Sequence, residues 1–265
     1  MEEKNILDTT VIYDKYYYNS KDTLRKFLES DYLKNIIKSV SEKCIIVLGG
    51  DGTMLRVIQE NYHKHTPFLG VNFGTKGFLL NEKEFLYDTN LNFKRFEYPL
   101  LDLQVRFGDI ILKHVAFNDI QIKSASGRAL DLNFEIENSL TRRVLGDGIL
   151  ISTPAGSTAY NKSAHGLILN HESNDFIVTP ICPYGITITK PVIFKNDYSV
   201  KVTNNNERKR RLSIYTDSND VIEGTQEDIE LIVKKYKEKV AIFIEENYIK
   251  LWKEKILAEQ GYVVN

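Results

Sequence analysis

The segment at residues 44–58, CIIVLGGDGTMLRVI, constrains the fold of this chain more than any other. Residues 44–48 form a short apolar run rich in β-branched side chains, which is typical of a strand buried on both faces. The run stops at the glycine-rich residues 49–53, and apolar residues with helical spacing begin at Met54. The sequence therefore predicts a strand, a turn that carries one carboxylate, and a helix.

Such a turn suits a phosphate group, but its acid needs a separate explanation. Glycine lets a backbone approach a ligand closely, and a helix N-terminus offers N–H groups and a positive dipole end. Asp51 would repel phosphate unless it takes part in the chemistry or binds a metal. Alternatively, Asp51 or Thr53 simply caps the helix. We favour a ligand site, because α/β sheets bind ligands at the carboxyl ends of their strands.

Predicted elements divide the chain into an α/β part and a β-rich part. Strands at residues 5–13, 44–48 and 68–72 alternate with a helical segment at 20–40, capped by Ser20, and a helix to about Tyr62. After Pro99, short β-forming segments predominate, and one helix is expected near 157–169. The predicted strands of this part are at residues 100–107, 110–118, 120–124, 129–136, 143–151, 176–181, 185–189, 199–202, 212–215, 228–233 and 240–245. We expect an α/β N-terminal domain at residues 1–98 and a β-rich, β-sandwich-like domain at 99–246. A C-terminal helix in residues 247–265, with Ile249, Trp252 and Ile256 on one face, packs back on the protein.

The composition of this chain of 265 residues argues against nucleic acid and membranes as partners. Its formal net charge of −1 gives no global field for nucleic acid or anionic membranes. No apolar stretch approaches the ~18 residues of a membrane span, and no signal-peptide core follows the N-terminus. Cys44 and Cys182 lie in apolar runs and are predicted to be reduced core residues of a cytoplasmic protein. The basic run at 208–211 has no interleaved aromatic residues, which favours a solvated hairpin over a nucleic-acid patch.

Three further polar segments are candidates for chemistry. GVNFGTKGF occupies residues 70–78, Asn118 and Asp119 follow Phe117, and GDG at 146–148 leads into STPAGSTAY at 152–160. Each of them also fits an ordinary loop, turn or bend, and Ser157 and Thr158 can cap the next helix. The chain contains neither GxxxxGK[ST] nor GxGxxG, so an ordinary P-loop or Rossmann site is not supported.

Taken in order, the four polar segments resemble the bacterial NAD kinase family over residues 44–194. The GGDGT turn alone is weak evidence, because diacylglycerol, sphingosine and phosphofructo-kinases have related turns. Its combination with STPxGSTAY is specific. The resemblance implies the two-domain NAD kinase fold and transfer of the ATP γ-phosphate to the 2′-hydroxyl of the adenosine ribose of NAD, giving NADP. It also implies Mg²⁺ bound with ATP, and a homodimer or homotetramer. Polyphosphate as donor and NADH as acceptor stay open.

The resemblance assigns roles to individual residues. Asp51 would be the general base, since a ribose hydroxyl is a poor nucleophile until a positioned group accepts its proton. The backbone around the turn would bind ATP phosphate at Gly49, Gly50, Gly52 and Thr53. The residues expected to bind NAD are Gly52, Phe78, Asn118, Asp119, Asp147, Thr158, Ala159, Tyr160 and Ser163. No metal ligand is predicted from the protein itself.

Several positions depart from the family pattern and leave the borders of the site open. Asp119 stands where glutamate is commoner, and its shorter side chain weakens or shifts a ribose contact. The other departures are Lys76, Leu79, Ala155, His165 and the turn at Asp217, Ser218 and Asn219. Two alternative functions remain at this stage, namely a diacylglycerol-type lipid kinase and a non-catalytic dinucleotide-binding regulator.

Overall fold

The structure is a computed structural model that describes residues 1–75, 77–137, 140–185, 190–195, 197–205, 207 and 210–259. The chain forms two compact units. The first comprises Met1–Glu97 and the residues from Val240 onward, and the second comprises Tyr98–Lys239. Residues 240–246, which the sequence predicts in the β-rich domain, thus belong to the first unit. The physical reason is parallel pairing of Ile242 and Phe243 with Phe68 and Leu69.

The first unit is an α/β structure. Its strands are β1 (Glu2–Ile6), β2 (Thr9–Tyr13), β3 (Ile45–Gly49), β4 (Phe68–Asn72), β5 (Asn81–Glu82) and the end of β17 (Ile229–Glu245). Its helices are α1 (Lys15–Ser20), α2 (Asp22–Leu28), α3 (Asp31–Ser39), α4 (Asp51–Asn61) and α6 (Glu246–Glu259), with 3₁₀ turns at Tyr62–Lys64 and Lys83–Leu86. Strands β2, β3, β4 and β17 pair in parallel in that order, and β1 forms an antiparallel hairpin with β2. The predicted α/β architecture is confirmed.

Two predictions for the start of the chain are wrong in detail. The predicted strand at residues 5–13 is a hairpin, because Leu7 and Asp8 take left-handed backbone angles (φ 49° and 61°) that turn the chain. The predicted helix at 20–40 is two helices, α2 and α3, and the side chain of Ser30 caps the second by accepting the Leu33 N–H at 3.4 Å. Ser20, the predicted cap, is the last residue of α1.

Apolar side chains of the helices cover one face of the parallel sheet. The core includes Leu24, Phe27, Leu33, Ile36, Ile46, Leu48, Leu69, Val71 and Phe243. Helix α6 buries Tyr248, Trp252 and Ile256, which lie four residues apart and therefore on one face. Ile249, predicted on this face, is only half-buried. The predicted segment extends beyond Glu259 into residues 260–265, which lie outside the described residues.

The second unit is built of antiparallel strands. They are β6 (Phe93–Phe107), β7 (Ile110–Ala116), β8 (Asp119–Ser124), β9 (Leu130–Ile136), β10 (Leu140–Gly146), β11 (Gly148–Ser152), β12 (Phe176–Ile181), β13 (Val192–Phe194), β14 (Val200–Asn204), β15 (Leu212–Thr216), β16 (Asn219–Thr225) and most of β17. One sheet has the order β13-β12-β11-β8-β15-β16, and β17, β14, β9 and β10 pair in another. Both contribute to one core, to which β9 adds Leu130, Leu132, Phe134 and Ile136 at alternate positions. This arrangement confirms the predicted β-rich domain.

Some elements of the second unit differ from prediction. The predicted strand at 143–151 is two strands, β10 and β11, with Asp147 between them, and the predicted strands at 228–233 and 240–245 are one strand. The predicted helix at 157–169 is reduced to a 3₁₀ turn at Gly156–Thr158 and one turn, α5 (Tyr160–Ser163). Non-helical angles at Ala159 (φ −93°, ψ −126°) separate these turns, and His165 (φ 60°) takes the left-handed conformation that ends helices.

Both cysteines are free; Cys44 is buried as predicted, whereas Cys182 is exposed and not a core residue. Strands β13 and β16 have no counterpart in the prediction. Residues 186–189 of a predicted strand and residues 208–209 of the basic run lie outside the described residues. Within the described part of the chain, no helix is both long and apolar enough to cross a membrane.

Candidate active site

The glycine-rich turn joins β3 directly to α4. Strand β3 ends at Gly49, Gly50 is extended (φ −117°, ψ −177°), and the helix begins at Asp51, three residues earlier than the sequence indicates. Gly50 offers no side chain to cap this helix. The first N–H groups of any α-helix have no acceptor within the helix, and in α4 the residue before the helix has no side chain to bind them. Such a helix N-terminus can bind an anion.

The glycines of this turn serve different purposes. A Cβ on Gly49 would lie 2.6 Å from Thr53 Oγ1, so glycine lets the strand approach the helix. Thr53 is buried, and its hydroxyl donates to Asp14 Oδ2 at 3.4 Å. Gly52 is exposed, and a Cβ there would have no neighbour within 4 Å. Open space for a phosphate therefore lies at Gly52, whereas Gly49 and Thr53 are held in packing.

Asp51 is fixed by two backbone amides. Its carboxylate accepts the Phe78 N–H at 3.0 Å (Oδ1) and 2.9 Å (Oδ2), and the Leu79 N–H at 3.0 Å (Oδ1). Burial raises the pKa of Asp51, although these N–H groups oppose the shift, and Glu82 raises it while Lys255 lowers it. A carboxylate with a raised pKa is a stronger proton acceptor than an ordinary aspartate, so Asp51 is equipped to act as a base.

Phe78 has a structural role that the sequence does not indicate. Its N–H donates to Asp51, and its carbonyl accepts the Trp252 Nε1–H at 2.8 Å. The expected contact of Phe78 with NAD stays a prediction. The start of the same loop is held by Asn72, whose Oδ1 accepts the Gly74 N–H at 2.8 Å. Lys76 lies outside the described residues.

In the second unit, Asp217 organises the Asn118–Asp119 turn. Its carboxylate accepts the N–H groups of Phe117 at 2.7 Å, Asn118 at 2.6 Å and Asp119 at 3.0 Å. Asp217 and the next residue, Ser218, have positive φ angles of 49° and 68°, as a tight turn between β15 and β16 requires. Sequence reasoning noted this turn only as a departure from the family. The signal was an aspartate in a turn, a residue that commonly bonds backbone N–H groups.

The STPAGSTAY segment packs on the same turn. The Thr153 N–H donates to the Asn118 carbonyl at 3.0 Å, and Thr153 Oγ1 donates to the Phe117 carbonyl at 2.7 Å. A Cβ on Gly156 would lie 2.0 Å from the Asn118 carbonyl oxygen, which is too close for any side chain. These contacts bring together two segments that the sequence separates by more than thirty positions.

Ser157 stabilises the loop of the second unit instead of capping a long helix. Its hydroxyl donates to the Pro154 carbonyl at 2.7 Å and accepts the Leu169 N–H at 3.0 Å. The predicted cap is therefore wrong. Both partners of this buried hydroxyl lie outside α5, so Ser157 connects Pro154, which precedes α5, to Leu169, which follows it.

Two buried oxygens near Asp119 have no hydrogen-bond partner among the described residues, Asn118 Oδ1 and Ser152 Oγ. Ser152 lies directly opposite Asp119 in the pairing of β11 with β8. Because buried polar atoms are nearly always hydrogen-bonded, these oxygens are candidates to meet polar groups of a ligand.

Asp119 itself is almost fully buried, with 3% of its surface exposed. Burial raises its pKa to about 7; the 2.8 Å hydrogen bond from Gln121 and the Lys123 cation oppose this shift, and the Asp217 carboxylate adds to it. At neutral pH the carboxyl therefore exists in both forms, and can accept or donate a hydrogen bond.

We predict that Asp119 makes the stability of the protein depend on pH. Its folded pKa lies above its unfolded value, so the unfolded chain releases this proton first. The free energy of unfolding should therefore fall by up to about 4 kcal/mol between about pH 4 and pH 7. In Asp119→Asn this contribution is absent. Urea unfolding at several pH values should therefore show the free energy of unfolding of the variant rising relative to that of the parent as the pH rises. Parallel curves would contradict the prediction; Asp220→Asn, at an exposed carboxylate, is the control.

The other predicted NAD contacts are spread around the second unit. Thr158 is half-buried and its hydroxyl donates to the carbonyl of the buried Ala155 at 3.1 Å, while Ala159 is exposed. The half-buried ring of Tyr160 lies 4.9 Å from Lys123 Nζ. Asp147 and Ser163 are exposed, and no hydrogen bond among the described residues joins them to the Asn118–Asp119 turn.

Among the described residues, no group of three or more His, Cys, Asp or Glu side chains is placed to hold a metal ion. Asp51 lies in the turn predicted to bind phosphate, and its carboxylate already accepts the N–H groups of Phe78 and Leu79.

Comparisons with known proteins agree with this arrangement. Residues 7–86 match the model of the ATP-NAD kinase N-terminal domain, and residues 117–244 match the ATP-NAD kinase C-terminal domain. The chain is 30% identical over 257 residues to the NAD kinase of Lachnoclostridium phytofermentans, covering 91% of this chain and 90% of that protein.

Two solved structures share the fold. The yeast NADH kinase complexed with NADH has a TM-score of 0.67 and 21% identity, with 83% of this chain and 67% of that chain covered. The NAD kinase from Archaeoglobus fulgidus in complex with ATP has a TM-score of 0.65 and 21% identity, with 93% and 97% covered. The domain matches, the relative and the shared two-domain fold lead to one conclusion: the chain belongs to the NAD kinase family.

Proposed function

We propose that this protein transfers the γ-phosphate of ATP to the 2′-hydroxyl of the adenosine ribose of NAD, with Asp51 as general base. The observation that carries the proposal is the Asp51 carboxylate, held by two backbone N–H groups at the start of α4 next to the open space at Gly52. A proton acceptor and an anion-binding helix terminus thus occur in one turn.

The proposed step moves one proton and one phosphoryl group between ATP, NAD and Asp51. The Asp51 carboxylate accepts the proton of the 2′-hydroxyl as the ribose oxygen forms a bond to the γ-phosphorus. The bond from the γ-phosphorus to the bridging oxygen breaks, and ADP leaves with that electron pair. Phosphoryl transfer depends mainly on positioning and charge stabilisation, so a fixed base and a phosphate site are the parts required of the protein.

We infer that ATP phosphate binds to the main chain at Gly49, Gly50, Gly52 and Thr53. The absence of a capping side chain at Gly50 and the open space at Gly52 support this proposal. Magnesium is proposed to enter with ATP, where it would neutralise charge on the phosphates. The described residues offer no acidic cluster of their own for it.

The second unit supplies most of the proposed NAD contacts. Asn118 Oδ1 is buried without a partner among the described residues, so it suits an amino or hydroxyl donor of the nucleotide. Asp119, with its pKa near neutrality, can accept from or donate to a ribose hydroxyl. The remaining proposed contacts are Gly52, Phe78, Asp147, Thr158, Ala159, Tyr160 and Ser163.

A substrate panel tests the proposed function. Purified protein with Mg²⁺ is given ATP or polyphosphate as donor, and NAD, NADH or diacylglycerol vesicles as acceptor; we expect NADP from NAD and ATP. Phosphorylation of the lipid alone would overturn the proposal in favour of a lipid kinase. Binding of NAD without turnover under any donor would favour a regulator.

We also propose a cytoplasmic homodimer or homotetramer. Among the described strands, β10 pairs with β9 alone, and on its outer edge the Leu145 carbonyl accepts the Tyr184 N–H at 2.9 Å. We propose that the rest of this edge pairs with a second copy. Light scattering of the purified protein measures the assembly, and a monomer at all concentrations would contradict it. Cell fractionation tests the location.

A further inference from the structure

We propose that helix α6 positions the general base, with Trp252 holding the peptide group that binds Asp51. This inference rests on the proposed function, because it needs Asp51 to be the proton acceptor. From the sequence, Trp252 was predicted only as a packing residue of the C-terminal helix. Its side chain is buried as that prediction requires, and its indole N–H also binds the Phe78 carbonyl.

A single peptide group joins Trp252 to Asp51. Trp252 Nε1–H donates to the carbonyl oxygen of Phe78 at 2.8 Å. That carbonyl shares its planar peptide unit with the N–H of Leu79, which donates to Asp51 Oδ1 at 3.0 Å. Because the unit is rigid, fixing its carbonyl also fixes the direction of its N–H. Donation to the carbonyl further polarises the N–H, which strengthens its bond to the carboxylate.

A second contact from the same helix holds the loop that carries Phe78. Lys255, one turn after Trp252, pairs with Glu82, which accepts Asn72 Nδ2 at 3.1 Å. Asn72 in turn accepts the Gly74 N–H at 2.8 Å. Helix α6 therefore connects to the loop at Phe78 directly and at Gly74 through Glu82 and Asn72.

The helix that provides these contacts is itself well anchored. Glu245 precedes α6 and accepts the Tyr248 N–H at 3.0 Å, which caps its first turn. The Trp252 ring lies 4.9 Å from the Phe96 ring at 64°, an edge-on packing. Trp252 therefore donates its hydrogen bond from a fixed orientation, as a positioning residue must.

Among the described residues, few charged and titratable groups act on Asp51. Helix α6 contributes Lys255 and Tyr248, and strand β5 contributes Glu82. Trp252 carries no charge, so replacing it changes hydrogen bonding to the carboxylate without altering the charges that surround it. A changed titration of Asp51 in a Trp252 variant would therefore report on the peptide contact.

The test compares Trp252→Phe with Ile256→Val. The first variant keeps an aromatic ring against Phe96 but removes the indole donor; the second trims the same buried helix face, which has no polar contact at that position. For Trp252→Phe we expect kcat to fall roughly ten- to a hundredfold, since small misplacement of a catalytic group has effects of this size. The KM for NAD should stay within about twofold, because binding is unchanged. The acid limb of the kcat profile should move to higher pH, because a loosened N–H bond disfavours the ionised carboxylate.

A readout independent of activity accompanies the kinetics. Carboxyl ¹³C NMR, with the Asp51 signal identified by its loss in Asp51→Asn, should show a raised Asp51 pKa in Trp252→Phe and the parent pKa in Ile256→Val. An unchanged Asp51 titration, or an equal fall of kcat in both variants, would overturn the positioning role. Full activity in Asp51→Asn would instead overturn the proposed base, and the NMR comparison would still report whether Trp252 acts on this carboxyl.

Discussion

Asp51→Asn is expected to form NADP about a thousandfold more slowly than the parent protein, since general base catalysis contributes factors of 10²–10⁴. The amide has the shape of the carboxylate but cannot accept the ribose proton. Its NH₂ group would also face the N–H donors of Phe78 or Leu79, which now bind the carboxylate. The loss should appear in kcat, measured by following NADP in a coupled assay, with the dissociation constant of NAD little changed.

Asp31→Asn is the matched control for that experiment. Asp31 lies in the same unit at the start of a helix, as Asp51 does, but its side chain is 94% exposed and pairs with Lys34. The same change of charge there should leave kcat unaltered.

Because the pKa of Asp51 is raised, the activity of the parent should also fall on acidification at a higher pH than an ordinary aspartate would give. Equal rates for the Asp51 variant and the parent would remove the general base from the mechanism.

Asp217→Ala is expected to lower the free energy of unfolding by about 3–5 kcal/mol, the largest stability effect we predict. The change leaves the N–H groups of Phe117, Asn118 and Asp119 without their shared acceptor, and each unpaired buried donor costs about 1–3 kcal/mol. Relaxation of the turn and entry of water reduce the simple sum. Urea unfolding measures the loss.

Asp217→Asn and Asp220→Ala sharpen the interpretation. The asparagine variant keeps one oxygen as an acceptor but turns an amide toward a backbone donor, so we expect an intermediate loss. Asp220 is an exposed acid on the neighbouring strand β16, and its replacement should change stability by less than about 0.5 kcal/mol. Equal losses at positions 217 and 220 would show that the three backbone bonds are not what stabilises the turn.

The sequence predicts those parts of the fold that depend on local patterns. The apolar run before Gly49 and the segment at Phe68–Asn72 are strands because both of their faces are buried, and such runs are recognisable without tertiary information. The predicted ends of helices and strands were less accurate where an unusual backbone conformation ends the element. Leu7 and His165 adopt positive φ angles although neither is a glycine, and each ends or divides an element that periodicity alone would continue.

In the candidate site, too, the sequence indicates the local features and not the contacts between distant residues. The sequence singles out Asp51 as a candidate because it is the one acid in a glycine-rich turn between a strand and a helix. The groups that hold it, Phe78, Leu79 and Trp252, act through main-chain atoms and an indole N–H at distant positions in the chain. Asp217 likewise meets backbone groups about a hundred residues away. Sequence motifs record side-chain chemistry well, but they do not record which amides a side chain will meet.

The division of the first unit between both ends of the chain has a consequence for synthesis on the ribosome. The second unit is continuous in sequence, so all of its residues emerge together, whereas the first unit lacks the end of β17 and all of α6 until residues 240–259 have been synthesised. Until then, Phe68 and Leu69 have no β17 partner, and the indole that binds the Phe78 carbonyl is missing. A nascent chain that ends before α6 would thus carry the GGDGT segment without the Trp252 contact to the Phe78 carbonyl.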